Sequence, residues 1–253
     1  MNSTGQPAGD HSRVVVITGG GSGIGRTMAR QFLARGHRVV LSGRRAETLA
    51  ETAAGHTQAL CVPTDITDPE SVRALFQAVV DGPGRIDVLV NNAGTFPMGQ
   101  SVDQIDDDTW TAAWQVNVSG SVWCAREAVR LMKVQGTGGR IINNASISAH
   151  VPRPESVAYT TTKHAIAGLT RSILLDGRAH NITATRLDIG NAATPMTGAM
   201  VNALQPDGSR KAEPTFDPIH VARLVGEVIE LPNDVAVPEL MVMAAGMPFI
   251  GRG

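Results

Sequence analysis

Residues 14–25 read VVVITGGGSGIG, a short apolar run that enters a cluster of glycines and passes directly into GRTMARQFLARG. Consecutive apolar residues suit a strand covered on both faces, and the segment after the glycines repeats its apolar positions at helical spacing. Lacking a Cβ, glycine accepts positive φ and lets the backbone approach a pyrophosphate closely, while the N-terminus of the helix offers unpaired N–H groups and positive dipole. The turn therefore reads as a dinucleotide seat built on Gly19, Gly23 and Gly25, with Ser22 and Ile24 between them. Its spacing is not GxGxxG, and for the cluster taken alone a tight structural turn is the alternative.

Working outward, the same alternation continues along the chain. Strand-like runs occur at 38–43, 59–63, 86–94, 140–146, 181–188 and 239–244, separated by amphipathic segments. Among these, DPESVRALFQAVVDG begins with Asp68 followed by Pro69, an N-cap with proline at the first helical position. The stretch from Trp110 to Val134 reads as one long helix. A βαβ rhythm repeated to about seven strands implies an α/β fold, a single-domain doubly wound parallel sheet of the Rossmann type with helices on both faces. Ligands of such sheets bind beyond the carboxyl ends of the strands. Residues 195–218 are polar and broken by prolines, the pattern of a substrate lid. Residues 1–12 read as a disordered leader, leaving 13–253 as one dinucleotide-binding and catalytic domain.

Composition narrows the function classes. With 42% hydrophobic and 18% charged residues the chain can bury a sizeable core, and a net charge of -1 offers no electrostatic footprint for nucleic acid. No apolar run is long enough to span a bilayer, and the N-terminus lacks the apolar core of a signal peptide, so a cytoplasmic location is expected. Cys61 and Cys124 have no metal-ligand or disulfide spacing and read as buried thiols. A small-molecule partner is expected, with no metal.

Tyr159 is the only tyrosine of the chain and stands four residues before Lys163. At i and i+4 the two share a helix face, where an ammonium favours the phenolate and lowers the phenol's pKa. That makes Tyr159 the candidate general acid and base, with Ser146 or Ser148 upstream as candidate donor to a substrate oxygen. At the end of the second strand the sequence is SGRR: Gly43 leaves no carboxylate to repel a 2′-phosphate, and Arg44 and Arg45 supply guanidinium groups to bind one. NADP(H), held chiefly by Arg44, is expected over NAD(H); solvated arginines at a helix start are the alternative.

TGGGSGIG at 18–25, Asp65 after the third strand, NNAG at 91–94, Asn117, Ser146 and YTTTK at 159–163 together resemble the short-chain dehydrogenase/reductase family almost end to end. The thirteen-residue interval from Ser146 to Tyr159 matches that family as well, and it favours Ser146 over Ser148 as the donor. The resemblance implies hydride transfer between a nicotinamide cofactor and a carbonyl or secondary alcohol. It implies that Lys163 also anchors the nicotinamide ribose and that Asn117 holds a water linking Lys163 to solvent. Asp65 and Ile66 would flank the adenine, and Asn91, Ala93 and Gly94 would line the cofactor channel. A non-catalytic NADP(H)-binding sensor or scaffold is the reading from another class.

The family pattern is broken after the sixth strand. Relatives carry Pro-Gly after the sixth strand, where this chain has Ile189 and Gly190, with Asp188 before them and Thr194 aligned to the family threonine. Asp188 must be paired or hydrogen-bonded there, and a structural role is preferred over contact with substrate. His150 is held as a candidate substrate contact and otherwise as a loop residue; His164 is assigned to packing or solvent. Methionines 98, 196 and 200 suggest an adaptable apolar pocket. The C-terminal tail, with Met247, Phe249 and Ile250, is apolar, and the resemblance places it between subunits of a homotetramer or homodimer.

Overall fold

The computed structural model describes residues 12–97 and 99–249. In chain order the elements are β1 (Val14–Thr18), α1 (Gly23–Ala34), β2 (Arg38–Gly43), α2 (Ala46–Ala53), β3 (Ala59–Pro63), α3 (Pro69–Asp81) and β4 (Val88–Asn91). There follow α4 (Asp107–Trp114), a π-helical segment (Gln115–Gly120), α5 (Ser121–Gln135), β5 (Gly139–Asn144), α6 (Val157–Gly177) and β6 (Ile182–Ile189). The chain closes with β7 (Ala203–Leu204), β8 (Arg210–Lys211), α7 (Ile219–Glu230) and β9 (Glu239–Val242).

Seven strands form one parallel sheet in the order β3-β2-β1-β4-β5-β6-β9, while β7 and β8 pair antiparallel as a small hairpin. Both faces of the sheet are covered, which is why its strands are apolar on successive residues. Val15 and Ile17 point into a cluster with Met28, Phe32, Val221 and Val225 beneath α1 and α7. Val16 and Leu89 point the other way, into Val72, Leu75, Phe76, Ala128 and Met132 beneath α3 and α5. Truncating such a residue to alanine costs about 2–5 kcal/mol, so each face is separately necessary. Strand order reverses between β1 and β4, and the crevice this leaves at their carboxyl ends is where a doubly wound sheet binds its ligand.

Local signals act as their chemistry requires. Asp68 accepts a hydrogen bond from the Glu70 N–H at 2.9 Å and Pro69 opens α3. The long helix differs from its expected form: it starts earlier, at Asp107, capped by Asp106 accepting from the Thr109 N–H at 2.7 Å. It also widens into π geometry around Asn117. Ser121 Oγ donates to the Asn117 carbonyl at 3.0 Å there, and such widened turns are frequent at functional sites.

The expected lid is folded. Pro195–Asn202 is a 3-10 helix whose Thr194 and Thr197 form a reciprocal capping box, and the β7–β8 hairpin follows. Phe216 then returns beside the residues after β6, its N–H donating to the Asn191 carbonyl at 3.0 Å. Ser12, the last residue of the expected leader, donates through Oγ to the Gly36 carbonyl at 3.0 Å, while residues 1–11 lie outside the described residues. The tail packs on its own chain, with Met247 buried against Ile147 and Ala244 and Phe249 alongside. These contacts are within the subunit, and Ile250 lies outside the described residues.

Candidate functional site

At the carboxyl end of β1 the chain takes positive φ at Gly19 (66°) and Gly23 (50°). A Cβ on Gly19 would stand 2.9 Å from the Ala93 Cα, and one on Gly25 would stand 2.3 Å from the Gly19 carbonyl oxygen, so the turn is compressed between β4 and its own helix. Ser22 caps α1 in extended conformation without a side-chain hydrogen bond, and no acidic residue occupies the first turn. A helix start with neither internal cap nor counter-charge fits a bound anion. Gly19, Ser22, Gly23 and Ile24 form one wall of a cavity of about 190 Å³, which Tyr159, Lys163, Ile189 and Thr194 line from the other side.

A second cavity of about 240 Å³ adjoins it and shares Gly19, Ser22, Ala93 and Gly94. Its walls are Gly43, Arg44, Arg45, Asp65, Ile66 and Val116. The Asp65 carboxylate accepts from the Thr67 N–H at 2.9 Å and its hydroxyl at 2.7 Å. Those bonds and the Arg44 charge hold its pKa below the usual carboxylate value. Ile66 packs so closely on the π segment that a Cβ on Gly120 would lie 2.7 Å from it. Arg44 and Arg45 are exposed at the rim.

The paired asparagines at the end of β4 divide their work differently from the expected assignment. Asn91 is buried, and its amide donates to the Ser121 carbonyl at 3.1 Å and to Asn143 Oδ1 at 2.9 Å, so it braces β4 against β5 and α5 instead of facing the cavities. Strand parity is the reason: Asn91 lies on the same face as Leu89, towards α5. Asn92 takes the position in the cleft. Its amide donates to the Thr18 carbonyl at 3.0 Å and its Oδ1 accepts from Asn144 at 3.0 Å, tying the glycine turn to the end of β5. Ala93 and Gly94 line both cavities as expected.

Tyr159, near the start of α6, lies half-buried with Phe96 edge-on at 4.5 Å between ring centroids. Lys163 Nζ sits 5.4 Å from the phenol ring centroid and donates to the Asn144 carbonyl at 2.8 Å. Burial raises the phenol pKa, against the opposing effects of the Ser146 hydroxyl and the Arg153 charge. The expected lowering by Lys163 is not seen; the ammonium is itself desolvated, burial taking it from 10.5 to about 8, with Asp188 acting in the opposite sense. Ser146 is buried in front of the 3-10 turn Ile147–Ala149 and accepts from the Ser148 N–H at 3.1 Å. A smaller pocket opens there, lined by Phe96, Ser146, Ser148, Arg153, Tyr159 and Met196 among others, so both serines border it. Asn117 contributes through its side chain, accepting from the Thr95 N–H at 2.8 Å and donating to the Thr95 carbonyl at 3.1 Å and to Thr162 Oγ1 at 3.1 Å. It thereby fixes the loop after β4 to α6.

Asp188 has a structural partner set. Its Oδ2 accepts from Arg186 Nε at 2.8 Å and lies 2.7 Å from His150 Nε2. His150 stacks edge-on to Phe249 at 6.2 Å and is directed to this cluster instead of the pocket. His164 hydrogen-bonds the Thr160 carbonyl through Nδ1 at 2.9 Å. Met196 lines the pocket; Met98 lies outside the described residues, as does the side chain of Met200. Cys124 is buried in α5, its thiol pushed up to about 12 by desolvation. Arg153, Glu213, Asn92 and Asn144 escaped the sequence reading. For Asn92 strand parity was the available signal; for the Arg153–Glu213 contact the sixty-residue separation offered none.

A doubly wound sheet with a glycine-lined seat, and a tyrosine, lysine and serine at its mouth, defines a dinucleotide-binding oxidoreductase of the α/β class. Residues 13–205 match the family model for short chain dehydrogenases. A 3beta-hydroxysteroid dehydrogenase of Mediterraneibacter gnavus is 33% identical over 189 residues, covering 73% of this chain and 68% of that one. The 2-(R)-hydroxypropyl-CoM dehydrogenase of Xanthobacter autotrophicus is 38% identical over 198 residues, covering 74% and 77%. The solved 3-ketoacyl-(acyl-carrier-protein) reductase of Brucella melitensis, complexed with NADH, superposes with a TM-score of 0.82 at 26% identity, covering 91% of this chain and 96% of that one. The chain belongs to the short-chain dehydrogenase/reductase family and is an oxidoreductase of that family. Among the described residues no helix is long and apolar enough to cross a membrane.

Proposed function

We propose that the protein interconverts a carbonyl and a secondary alcohol using NADP(H), with Tyr159 as the acid and base. The observation that carries this reading is the convergence of Tyr159 and Lys163 on the cavity that the glycine turn also lines, with Ser146 beside the phenol in the adjoining pocket. NADP(H), when bound, supplies or accepts the hydride. Gly19, Ser22, Gly23, Ile24 and Gly25 would receive its pyrophosphate, Arg44 its 2′-phosphate, Asp65 and Ile66 its adenine, and Ala93, Gly94, Ile189, Thr194 and Lys163 its nicotinamide end. Gly43 and Arg44 favour the phosphorylated cofactor, because the end of β2 carries no carboxylate and a guanidinium stands beside it.

In reduction, Ser146 donates a hydrogen bond to the substrate carbonyl oxygen and Tyr159 delivers the proton that turns it into a hydroxyl. A phenol raised by burial stays protonated at neutral pH, the state needed for an acid. Oxidation needs the phenolate, so its rate should climb with pH until the phenol titrates. Lys163 supports the anion left on Tyr159, and Asn117, through a held water, connects Lys163 to solvent for reprotonation. The 195–218 segment serves as the substrate lid, and the working form is a homotetramer or homodimer, an assembly that light scattering would measure.

The test is oxidation of NADPH and NADH against ketones, aldehydes, diketones and 3-oxoacyl thioesters, with Tyr159→Phe as blank. Turnover lost in the variant with cofactor binding retained is expected. Tight NADPH binding without Tyr159-dependent turnover of any carbonyl would instead favour a sensor or scaffold.

A further inference from the structure

Arg153, between β5 and α6, is the only ionised side chain among the described residues lining the pocket beside Ser146 and Tyr159. A guanidinium next to a reacting carbonyl would ordinarily recruit a carboxylate or phosphate on the substrate, since its planar fork matches those groups. Here the fork is already filled from within the chain. Nη1 donates to Glu213 Oε1 at 2.8 Å, and Nη2 donates to Glu213 Oε2 at 2.8 Å and to Asn191 Oδ1 at 2.9 Å. Both side chains are buried, 6% and 3% exposed. Asn191 and Gln205 donate to the same carboxylate at 2.8 Å and 3.3 Å. Burial would push Glu213 upward, but the Arg153 and Asn191 hydrogen bonds outweigh it and hold the carboxyl at about 2, ionised at every working pH.

A buried ion pair adds little net stability, because desolvation offsets its attraction, so stability alone does not account for placing one here. Its position does. Glu213 arrives on the returning arm of the lid from behind the pocket wall and places its two oxygens on Nη1 and Nη2 of the pocket's single cation, the nitrogens a substrate anion would need.

We propose that Glu213 is a specificity-determining residue: by occupying the Arg153 fork it excludes anionic carbonyl substrates and reserves the pocket for neutral ones. This rests on the carbonyl-reductase reading of the same site. A displaced Glu213 would be a buried carboxylate without its cation, so a substrate anion must overcome both its own desolvation and that of Glu213.

The experiment compares acetoacetate with methyl acetoacetate, ligands that share a carbonyl and differ by one negative charge. Binding to NADP⁺-loaded protein is measured by calorimetry, and NADPH oxidation is followed in parallel. Wild type should favour the ester. Glu213→Gln should tighten acetoacetate binding by about 10- to 100-fold, the range of a charge-assisted contact, with the ester little changed. Adding Arg153→Gln to that variant should erase the gain, a reversal that a merely structural pair would not show. Wild type binding the acid as tightly as the ester overturns the proposal without any variant, so a misfolded Glu213→Gln does not protect it. A folded Glu213→Gln with no gain for the acid overturns it too. Failure of the underlying reading is distinguishable: no variant would oxidise NADPH with either ligand, while the order of binding would still be read.

Discussion

The two ends of the binding cleft treat polar groups in opposite ways. At the glycine turn, Ser22 leaves α1 without a side-chain cap, and among the described residues the Arg44 guanidinium makes no hydrogen bond. Around Tyr159 the charges are answered within the chain: Arg153 by Glu213, Arg186 by Asp188 and Glu239, and Lys163 by the Asn144 carbonyl. An open donor is costly only when it is buried, and the first end is a rim. The first end is therefore open to a ligand that brings its own charge, whereas the second is a nearly neutralised chamber, which suits the proposed reaction because that reaction creates charge only transiently.

The sharpest way to break that contrast is to remove the one chemical group the chamber surrounds. Tyr159→Phe deletes the proposed proton donor and leaves the ring to pack against Phe96. A loss of turnover of about 10²- to 10⁴-fold is expected, with NADPH affinity near wild type by fluorescence titration. Turnover within a few-fold of wild type would remove Tyr159 from the chemistry. Ser146→Ala should follow with a fall in kcat of roughly 10²- to 10³-fold, about 3 kcal/mol of transition-state stabilisation. If Ser148→Ala has the larger effect, the donor role moves two residues along the same pocket wall.

This contrast also explains what could be read in advance. The glycine turn, the sheet and the Asp68–Pro69 helix start are local events, coded by neighbouring residues, and they stand where the sequence places them. The lone tyrosine with its lysine one turn away is local as well. Pairings across the fold were not legible. Nothing near Arg153 announces a glutamate sixty residues away in the 195–218 segment, and Asp188 needed the strand register to reveal Arg186 on its own face. The asparagine pair differs again: consecutive strand residues face opposite ways, so of two identical neighbours the Asn91 side chain turns to the core and the Asn92 side chain to the cleft.

Lys163 sharpens the comparison through stability. Its pKa in the folded chain is about 8 against an ordinary 10.5, so between those values the unfolded chain holds a proton that the folded chain has released. Folding stability contributed by this group should therefore rise with pH across that window, by on the order of 3 kcal/mol when complete, and be constant below it. Lys163→Met removes the desolvated charge. It should raise stability near pH 7 by about 1–3 kcal/mol in urea titration, less what the lost bond to the Asn144 carbonyl contributes, while turnover collapses. A variant less stable than wild type at pH 7 would show that the ammonium is a structural asset.

The smallest expected effect tests the open end. Arg44→Ala should lower the kcat/KM preference for NADPH over NADH by roughly tenfold, about 1.4 kcal/mol, because a charge-assisted bond at an exposed rim is partly screened. That screening gives a second readout: the wild-type preference should shrink with added salt, and the variant's should not. Gly43→Asp attacks the same preference from the other side, placing a carboxylate where the 2′-phosphate would lie. A Cβ at Gly43 would meet only the Leu49 side-chain end, at 3.3 Å, so the backbone need not move to admit it. An unchanged ratio in both variants would mean that this rim does not choose the cofactor. A fall in Gly43→Asp alone would assign the choice to the missing carboxylate, with Arg44 a solvated bystander.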